Sequence, residues 1–350
     1  SRNTGRLGKT LWTDAAAGEP VTLARLADQD DEAAWCARLV TRGDARETAI
    51  LYRTNAQSRP FEELFFRLGI PYRVVGTVRF YAREEVKDAI AWLALLANGR
   101  DEVAFRRVVN RPARGVGRSS VERIVDSWGE SGGTLWDACR RVGPRLAAKG
   151  RAGLADFVAV RDETAGLLDS LPLSALLKAT LDRTGLAAHY AERDRADGTS
   201  KAGNLEELVT ATAGYPPGAE GLTRFLEHCA LNAAPEETDD ARMASGTAAG
   251  RVTLITLHNT KGLEFDRVVV TGLEEGIFPH ESGLHDPDEV EEERRLFYVG
   301  VTRARRLLHL TWCARRQLFG RWQEREPSRF LAEIPPGLLA VEEADEAADD

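Results

Sequence analysis

Arg251-Val-Thr-Leu-Ile-Thr-Leu257 runs into His258-Asn-Thr-Lys-Gly-Leu-Glu-Phe265 and then Val268-Val-Val270, and this succession decides the fold. The first run is apolar and β-branched, as a buried strand requires; the second is polar and turn-forming; the third is strand-like again. Further on, Glu291-Glu-Glu-Arg-Arg-Leu-Phe-Tyr-Val-Gly-Val-Thr-Arg-Ala-Arg305 reads as a helix, and Leu307-Leu-His-Leu-Thr-Trp-Cys313 as a last strand. Strand, loop, strand, helix, strand is the texture of an α/β domain with a parallel sheet, whose site is expected at the carboxyl ends of its strands. The loops carry His258, Lys261, Glu264 and several arginines, groups suited to phosphate and sugar contacts.

Thr256-Leu-His-Asn-Thr-Lys-Gly-Leu-Glu-Phe265 resembles motif V of the UvrD/Rep/PcrA superfamily 1 DNA helicases. Glu292-Glu-Arg-Arg-Leu-Phe-Tyr-Val-Gly-Val-Thr-Arg-Ala304 resembles motif VI, and Tyr52-Arg-Thr-Asn-Ala-Gln-Ser-Arg59 resembles motif IV. One departure is Asn259-Thr260, where many relatives carry two small residues. The resemblance covers nearly all of residues 10–335, as the carboxyl-terminal half of such a helicase. It implies a RecA-like parallel-sheet domain over 20–97 and 248–335, interrupted by a mainly helical insertion at 98–247. A lead-in (1–19) and an acidic tail (336–350) flank them.

The resemblance also distributes roles. Arg53 and Arg303 would act as the catalytic cations at the γ-phosphate of ATP, with Tyr52 against the adenine. Lys261, Gly262 and Glu264 would complete the nucleotide contacts, Glu264 by accepting from ribose hydroxyls. Thr256 and His258 would touch single-stranded DNA, and Arg79 and Arg83 lie where the family contacts DNA. The plainer alternatives are a core Tyr52 with a surface Arg53, a solvated basic turn at 79–83, and an Arg303 paired with the Glu291–Glu293 cluster.

From 100 to about 233 the β pattern vanishes and short helices broken by Gly and Pro take over. Within this insertion, Arg114-Gly-Val-Gly-Arg118 offers two glycines around one apolar residue, so that backbone amides can face a phosphate beside two cations. Ser119 or Ser120 can cap the helix that follows. The segment resembles a helix-hairpin-helix duplex contact, which makes Arg114, Gly115, Gly117 and Arg118 candidate duplex contacts; a simple tight turn is the alternative. Pro235–Gly250 reads as a mobile acidic linker.

Composition sets bounds. A chain of 350 residues, 43% hydrophobic and 29% charged, can bury at least one large core and leaves room for two domains. No apolar run has membrane-spanning length, and four isolated cysteines suggest neither a disulfide framework nor a zinc site, so a cytoplasmic setting is expected. The net charge of -8 argues against a plain basic nucleic-acid binder, but it is unevenly spread. Glu342, Glu343, Asp345, Glu346, Asp349 and Asp350 crowd the tail, and the loop 281–293 is acidic without a single base. The remainder is mildly basic.

Gly5-Arg-Leu-Gly-Lys-Thr10 invites a P-loop reading, but position 3 is Asn and no strand precedes it. Val268-Val-Val-Thr-Gly-Leu-Glu-Glu275 imitates an acidic Mg²⁺ pair, yet Thr-Gly-Leu separates strand from acids. The chain, which starts without Met, is therefore expected to be a fragment that binds ATP and Mg²⁺ only with an amino-terminal RecA-like half. Its DNA partners would be single strands and single/double-strand junctions. The rival readings are the motor half of a helicase–nuclease and a non-catalytic DNA-binding regulatory module.

Overall fold

The computed structural model describes residues 18–43, 45–233, 250–284, 286–318 and 320–343. Gly5–Thr10, residues 235–249 of the expected linker and the tail beyond 343 lie outside them. The chain divides into two compact units, one of Ser1–Val78, Glu236–Gln317 and Trp322–Asp350, the other of Arg79–Pro235 and Leu318–Arg321.

The first unit holds a seven-stranded sheet in the order β3-β4-β2-β5-β6-β1-β9. The strands are β1 (Val21–Leu26), β2 (Thr48–Tyr52), β3 (Tyr72–Val75), β4 (Val252–Thr256), β5 (Phe265–Val270), β6 (Ala304–Cys313) and β9 (Leu339–Glu343). Every pairing is parallel. A short ribbon, β7 (Arg315–Leu318) with β8 (Arg321–Glu324), stands apart from this sheet. Helices α1 (Gln29–Thr41) and α2 (Ser58–Leu68) and the later α12 (Pro287–Val301) complete the unit.

Two-residue periodicity distributes the core. On β2, Ile50 and Tyr52 join Cys36, Val40, Phe61 and Phe65 of α1 and α2. Ala49 and Leu51, alternating with them, join Phe297 of α12 and Phe330. Strands buried on both faces are near-continuously apolar, which is why Val252–Leu257 and Val268–Val270 read so clearly as strands.

Two strands go beyond the expectation from sequence: β1, and Leu339–Glu343, which falls within the expected acidic tail at 336–350. Leu339 to Glu343 instead runs beside Val21 to Arg25, with Leu23 opposite Val341. It is an exposed edge strand, and its Glu342 and Glu343 suit an edge that must not recruit another strand.

The second unit is helical: α3 (Glu84–Ala97), α4 (Glu102–Val108), α5 (Arg118–Ser131), α6 (Leu135–Val142), α7 (Ala148–Gly166), α8 (Leu173–Thr184), α9 (Leu186–Asp197), α10 (Lys201–Ala211) and α11 (Gly218–Asn232). Its boundary falls at Val78, earlier than the expected 97. The reason is α3, whose Val86, Trp92, Leu93 and Leu95 are buried in one cluster with Phe105, Trp136 and Phe157 of the helical unit.

Candidate functional site

Strand β2 ends on Tyr52 and the chain continues into Arg53. Alternation sends the two side chains to opposite faces. The ring of Tyr52 is fully buried among Phe61, Phe65 and Tyr72, so in this conformation it has no face open to a base. Arg53 turns toward α12 and meets Glu293. Its Nε donates to both carboxylate oxygens at 2.9 and 3.0 Å, and its Nη2 to Oε1 at 2.7 Å. Glu293 also accepts the backbone N–H of His280 at 3.1 Å. Gln57 Oε1 takes the N–H groups of Arg53 and Thr54, which fixes the backbone leaving the strand. His258 and His280 are held below the ordinary histidine range by desolvation first and by the Arg53 cation second, with Glu293 opposing.

The turn after β4 is built tightly on its inner side and open on its outer side. Thr256 is buried and its Oγ1 accepts from Asn259 Nδ2 at 3.0 Å. Thr260 Oγ1 donates to the Leu257 carbonyl at 2.7 Å. Asn259, the departure noted above, fits because Gly76 opposite has no side chain: a β-carbon there would lie 2.1 Å from Asn259 Nδ2. His258, Lys261, Gly262, Leu263 and Glu264 are all exposed. Gly262 has φ +83°, a left-handed value that favours glycine. Glu264 lines a cavity of about 390 Å³ with Arg46, Glu47, Arg73, Thr253 and Arg305, at the amino ends of the central strands.

Helix α12 buries Val290, Glu293, Phe297 and Gly300, a stripe with steps of three and four. Arg303 follows the helix. Its Nε donates to the Val299 carbonyl at 2.9 Å, Nη1 to the Leu263 carbonyl at 3.1 Å and Nη2 to Thr302 Oγ1 at 3.1 Å. The alternative pairing with the acidic cluster is not formed: Glu291 is taken by Arg294, Glu292 by Arg295 and Glu293 by Arg53. The Arg53 and Arg303 guanidinium groups share no partner among the described residues. Arg53 stands at the carboxyl end of β2, whereas Arg303 stands at the amino end of β6, where its carbonyl accepts the N–H of Phe265. The site thus runs along α12, with a helical rise of about 12 Å from Glu293 to Val301, instead of gathering at the carboxyl edge alone.

In the helical unit the turn between α4 and α5 departs from expectation in three ways. Arg114 is buried, and its guanidinium donates to the carbonyls of Val108, Arg111, Pro112 and Thr184 while lying over Trp92 and Phe157. It holds the turn from inside and offers nothing to a phosphate. Gly115, with φ +74°, is packed by Lys149, whereas Gly117 has open space where a β-carbon would stand. The cap of α5 is Gly117 itself, so Ser119 and Ser120 lie within the first turn. Arg118 is exposed at that first turn, as expected of a contact residue. Arg83 is likewise buried, donating to Asn204 Oδ1 at 2.9 Å beside the Phe80 ring, which removes it from the surface. Arg79 is half-buried.

The model of the UvrD-like helicase C-terminal domain matches residues 1–141 and 175–315. The chain belongs to this family. It is 41% identical to DNA helicase II of Escherichia coli (strain K12) over 345 residues, 95% of this chain and 47% of that protein. It is 38% identical to ATP-dependent DNA helicase UvrD1 of Mycobacterium tuberculosis (strain ATCC 25618 / H37Rv), over 97% of this chain and 46% of the relative. Against ATP-dependent DNA helicase PcrA of Bacillus subtilis (strain 168) the figures are 37%, 96% and 47%. The chain spans about half the length of the curated relatives it matches.

Two features of this UvrD-like chain were missed in the sequence. Glu293 was read only as one of three acids, although its spacing from Val290, Phe297 and Gly300 already marks it as buried. The second is a buried ion cluster. Arg316 donates through Nη2 to Glu274 and Glu32 at 2.9 and 2.7 Å, Gly272 N–H and Thr311 Oγ1 donate to Glu32, and Cys313 N–H donates to Glu274. It ties the loop after β5 to α1 and β6. Glu275 is paired with Arg329. Both acids of the Mg²⁺-pair imitation therefore have cationic partners.

Proposed function

We propose that this chain is the carboxyl-terminal motor half of an ATP-dependent DNA helicase that moves 3′-to-5′ on single-stranded DNA. The loop between β4 and β5 carries the reading: Lys261 and Glu264 stand exposed on it, with Arg303 clasping the Leu263 carbonyl beside them. Phosphoryl transfer asks for positioned cations around the γ-phosphate more than for covalent help. Arg303, on the same side of the sheet as Glu264, would supply one, an arginine of this kind being worth ~10³–10⁵ in rate, about 4–7 kcal/mol of barrier. Lys261 and Glu264, exposed on the loop between β4 and β5, would meet the nucleotide, and His258 on the same turn would meet the single strand. One short connection would then link nucleotide state to grip on DNA.

Mg²⁺, when bound, would supply charge neutralisation at the phosphates. Glu274 and Glu275 are engaged by Arg316 and Arg329, so this half offers cations to the site and leaves the metal ligands to the amino-terminal half. Duplex contact falls to Arg118 and the α5 amino terminus. The test is ATP hydrolysis and separation of a 3′-tailed duplex by the full-length enzyme. Hydrolysis stimulated by single strands, with unwinding from the 3′ tail, is expected; an enzyme indifferent to DNA would end this reading.

A further inference from the structure

Asn259, half of the departure from the family pattern, sits in the Leu257–Thr260 turn, one residue past His258. Its side chain is exposed, yet it is seated. Nδ2 donates to Thr256 Oγ1 at 3.0 Å, and the amide lies against Gly76, where a β-carbon would come within 2.1 Å of Nδ2. Gly76 has φ +87°, a value other residues rarely adopt, so conformation as well as size keeps the seat clear. An asparagine amide carries two N–H donors and a carbonyl acceptor. Thr256 takes one donor, and among the described residues nothing takes the second N–H.

We infer that Asn259 is a further single-strand contact, its second N–H donating to a backbone phosphate of DNA that crosses the turn at His258. The inference rests on the helicase reading above and deepens it. A donor already fixed by Thr256 gives up little side-chain freedom on binding, which is where an unseated asparagine would lose affinity. A motor that moves along DNA has to hold every sequence alike, and phosphate contacts carry no sequence information. The amide is neutral, so its contact releases no counterion. Unlike a lysine, it adds affinity without steepening the salt dependence.

The experiment measures binding of oligo(dT) and oligo(dA) to the full-length enzyme without nucleotide, over a salt series. Asn259→Ala is expected to weaken both roughly 3- to 10-fold, the size of one hydrogen bond, with the salt slope unchanged. Losing a cationic contact would instead lower that slope by about 0.7 on a single strand. In Asn259→Ala, kcat at saturating DNA should stay within about 2-fold of the parent, while the DNA concentration for half-maximal stimulation rises in step with Kd. Asn259→Asp keeps the shape, lacks the donor and adds a negative charge, so it should bind more weakly still. Gly76→Ala, which evicts the amide from its seat, should reproduce the loss in the parent and add nothing in the Asn259→Ala background. Unchanged affinity of Asn259→Ala, a loss confined to one homopolymer, or a flattened salt slope would overturn the inference. Should Asn259→Ala misfold, parent-like binding by the isosteric Asn259→Asp would equally overturn it. Failure of the unsubstituted enzyme to bind single strands at all would instead remove the helicase reading, and the inference with it.

Discussion

Gly300 on α12 and Leu257 at the end of β4 are packed so closely that a β-carbon on position 300 would lie 2.3 Å from Leu257 Cδ2. This contact joins the helix that carries Glu293 to the turn that carries His258 and Lys261. The atom in the way is the far end of a flexible side chain, and alanine gains about 1 kcal/mol over glycine in a helix. Gly300→Ala should therefore stay within about 1 kcal/mol of the parent. Gly300→Val cannot be absorbed by one rotamer and should destabilise by about 1–3 kcal/mol. Urea unfolding of the two variants measures the difference.

A second close approach separates structure from DNA contact in the helical unit. A β-carbon on Gly153 of α7 would stand 2.0 Å from the Arg114 carbonyl oxygen, a backbone atom with nowhere to go. Gly153→Ala should destabilise by more than about 2 kcal/mol. Gly117→Ala, in open space at an ordinary φ of -74°, should cost under about 1 kcal/mol, the difference between glycine and alanine as a helix cap. Thermal melts of both variants check the contrast.

Arg118 can be tested where Arg114 cannot. Arg118→Ala should weaken duplex binding uniformly across sequences and reduce the salt slope by about 0.9, the mark of one lost phosphate contact. Arg114→Met should instead lose stability, by about 3 kcal/mol or more, because four carbonyls lose their donor. Unchanged duplex binding by Arg118→Ala over a salt series would leave the turn a plain connection between helices.

These glycines and arginines also mark where the sequence was legible. The parallel sheet, the motif order and the helical insertion follow from strings such as Val252–Leu257, where burial on both faces leaves a run of apolar and β-branched residues. The strand Leu339–Glu343 was hidden because an exposed edge strand keeps its charges and looks like a tail. Arg83 and Arg114 were misplaced for a related reason: arginine is usually exposed, and the carbonyls and ring faces that bury these two come from residues distant in sequence. Tyr52 and Arg53 were read as a pair facing one ligand, whereas strand alternation sends adjacent side chains to opposite faces. Glu293 was legible in its spacing, but not in its partner 240 residues away.

His309 sets the acid limit of the sheet unit. Its ring is buried on β6 edge-on to Trp35, with centroids 5.6 Å apart, and neither ring nitrogen has a hydrogen-bond partner among the described residues. Desolvation, and then the Arg267 cation, pushes its pKa down to about 4. A depressed histidine contributes stability that is fully present above the unfolded value of about 6.5 and is lost as pH falls through the folded value. Unfolding free energy should decline between pH 6.5 and about 4, by about 3 kcal/mol from this residue. His309→Leu should flatten most of that decline, with His189, His258 and His280 contributing in the same direction. A slope unchanged in His309→Leu would assign the acid limit to other groups.

Arg303 carries the catalytic part of the proposal. In the full-length enzyme Arg303→Ala should lower kcat by at least ~10²-fold, the cation being proposed to act on transition-state charge. Affinity for single-stranded DNA without nucleotide should change little. Near-normal kcat would return Arg303 to a structural role, as a clasp on the Leu263 carbonyl.

The most direct test of the whole reading is DNA-stimulated ATP turnover by this chain alone and by the same chain joined to its amino-terminal half. The account predicts no hydrolysis above background from the chain alone at any DNA concentration, and strong single-strand-stimulated turnover once the two halves are joined. Turnover by the isolated chain, purified free of contaminating ATPase, would contradict it, as would a joined enzyme that stays silent with DNA and ATP in excess.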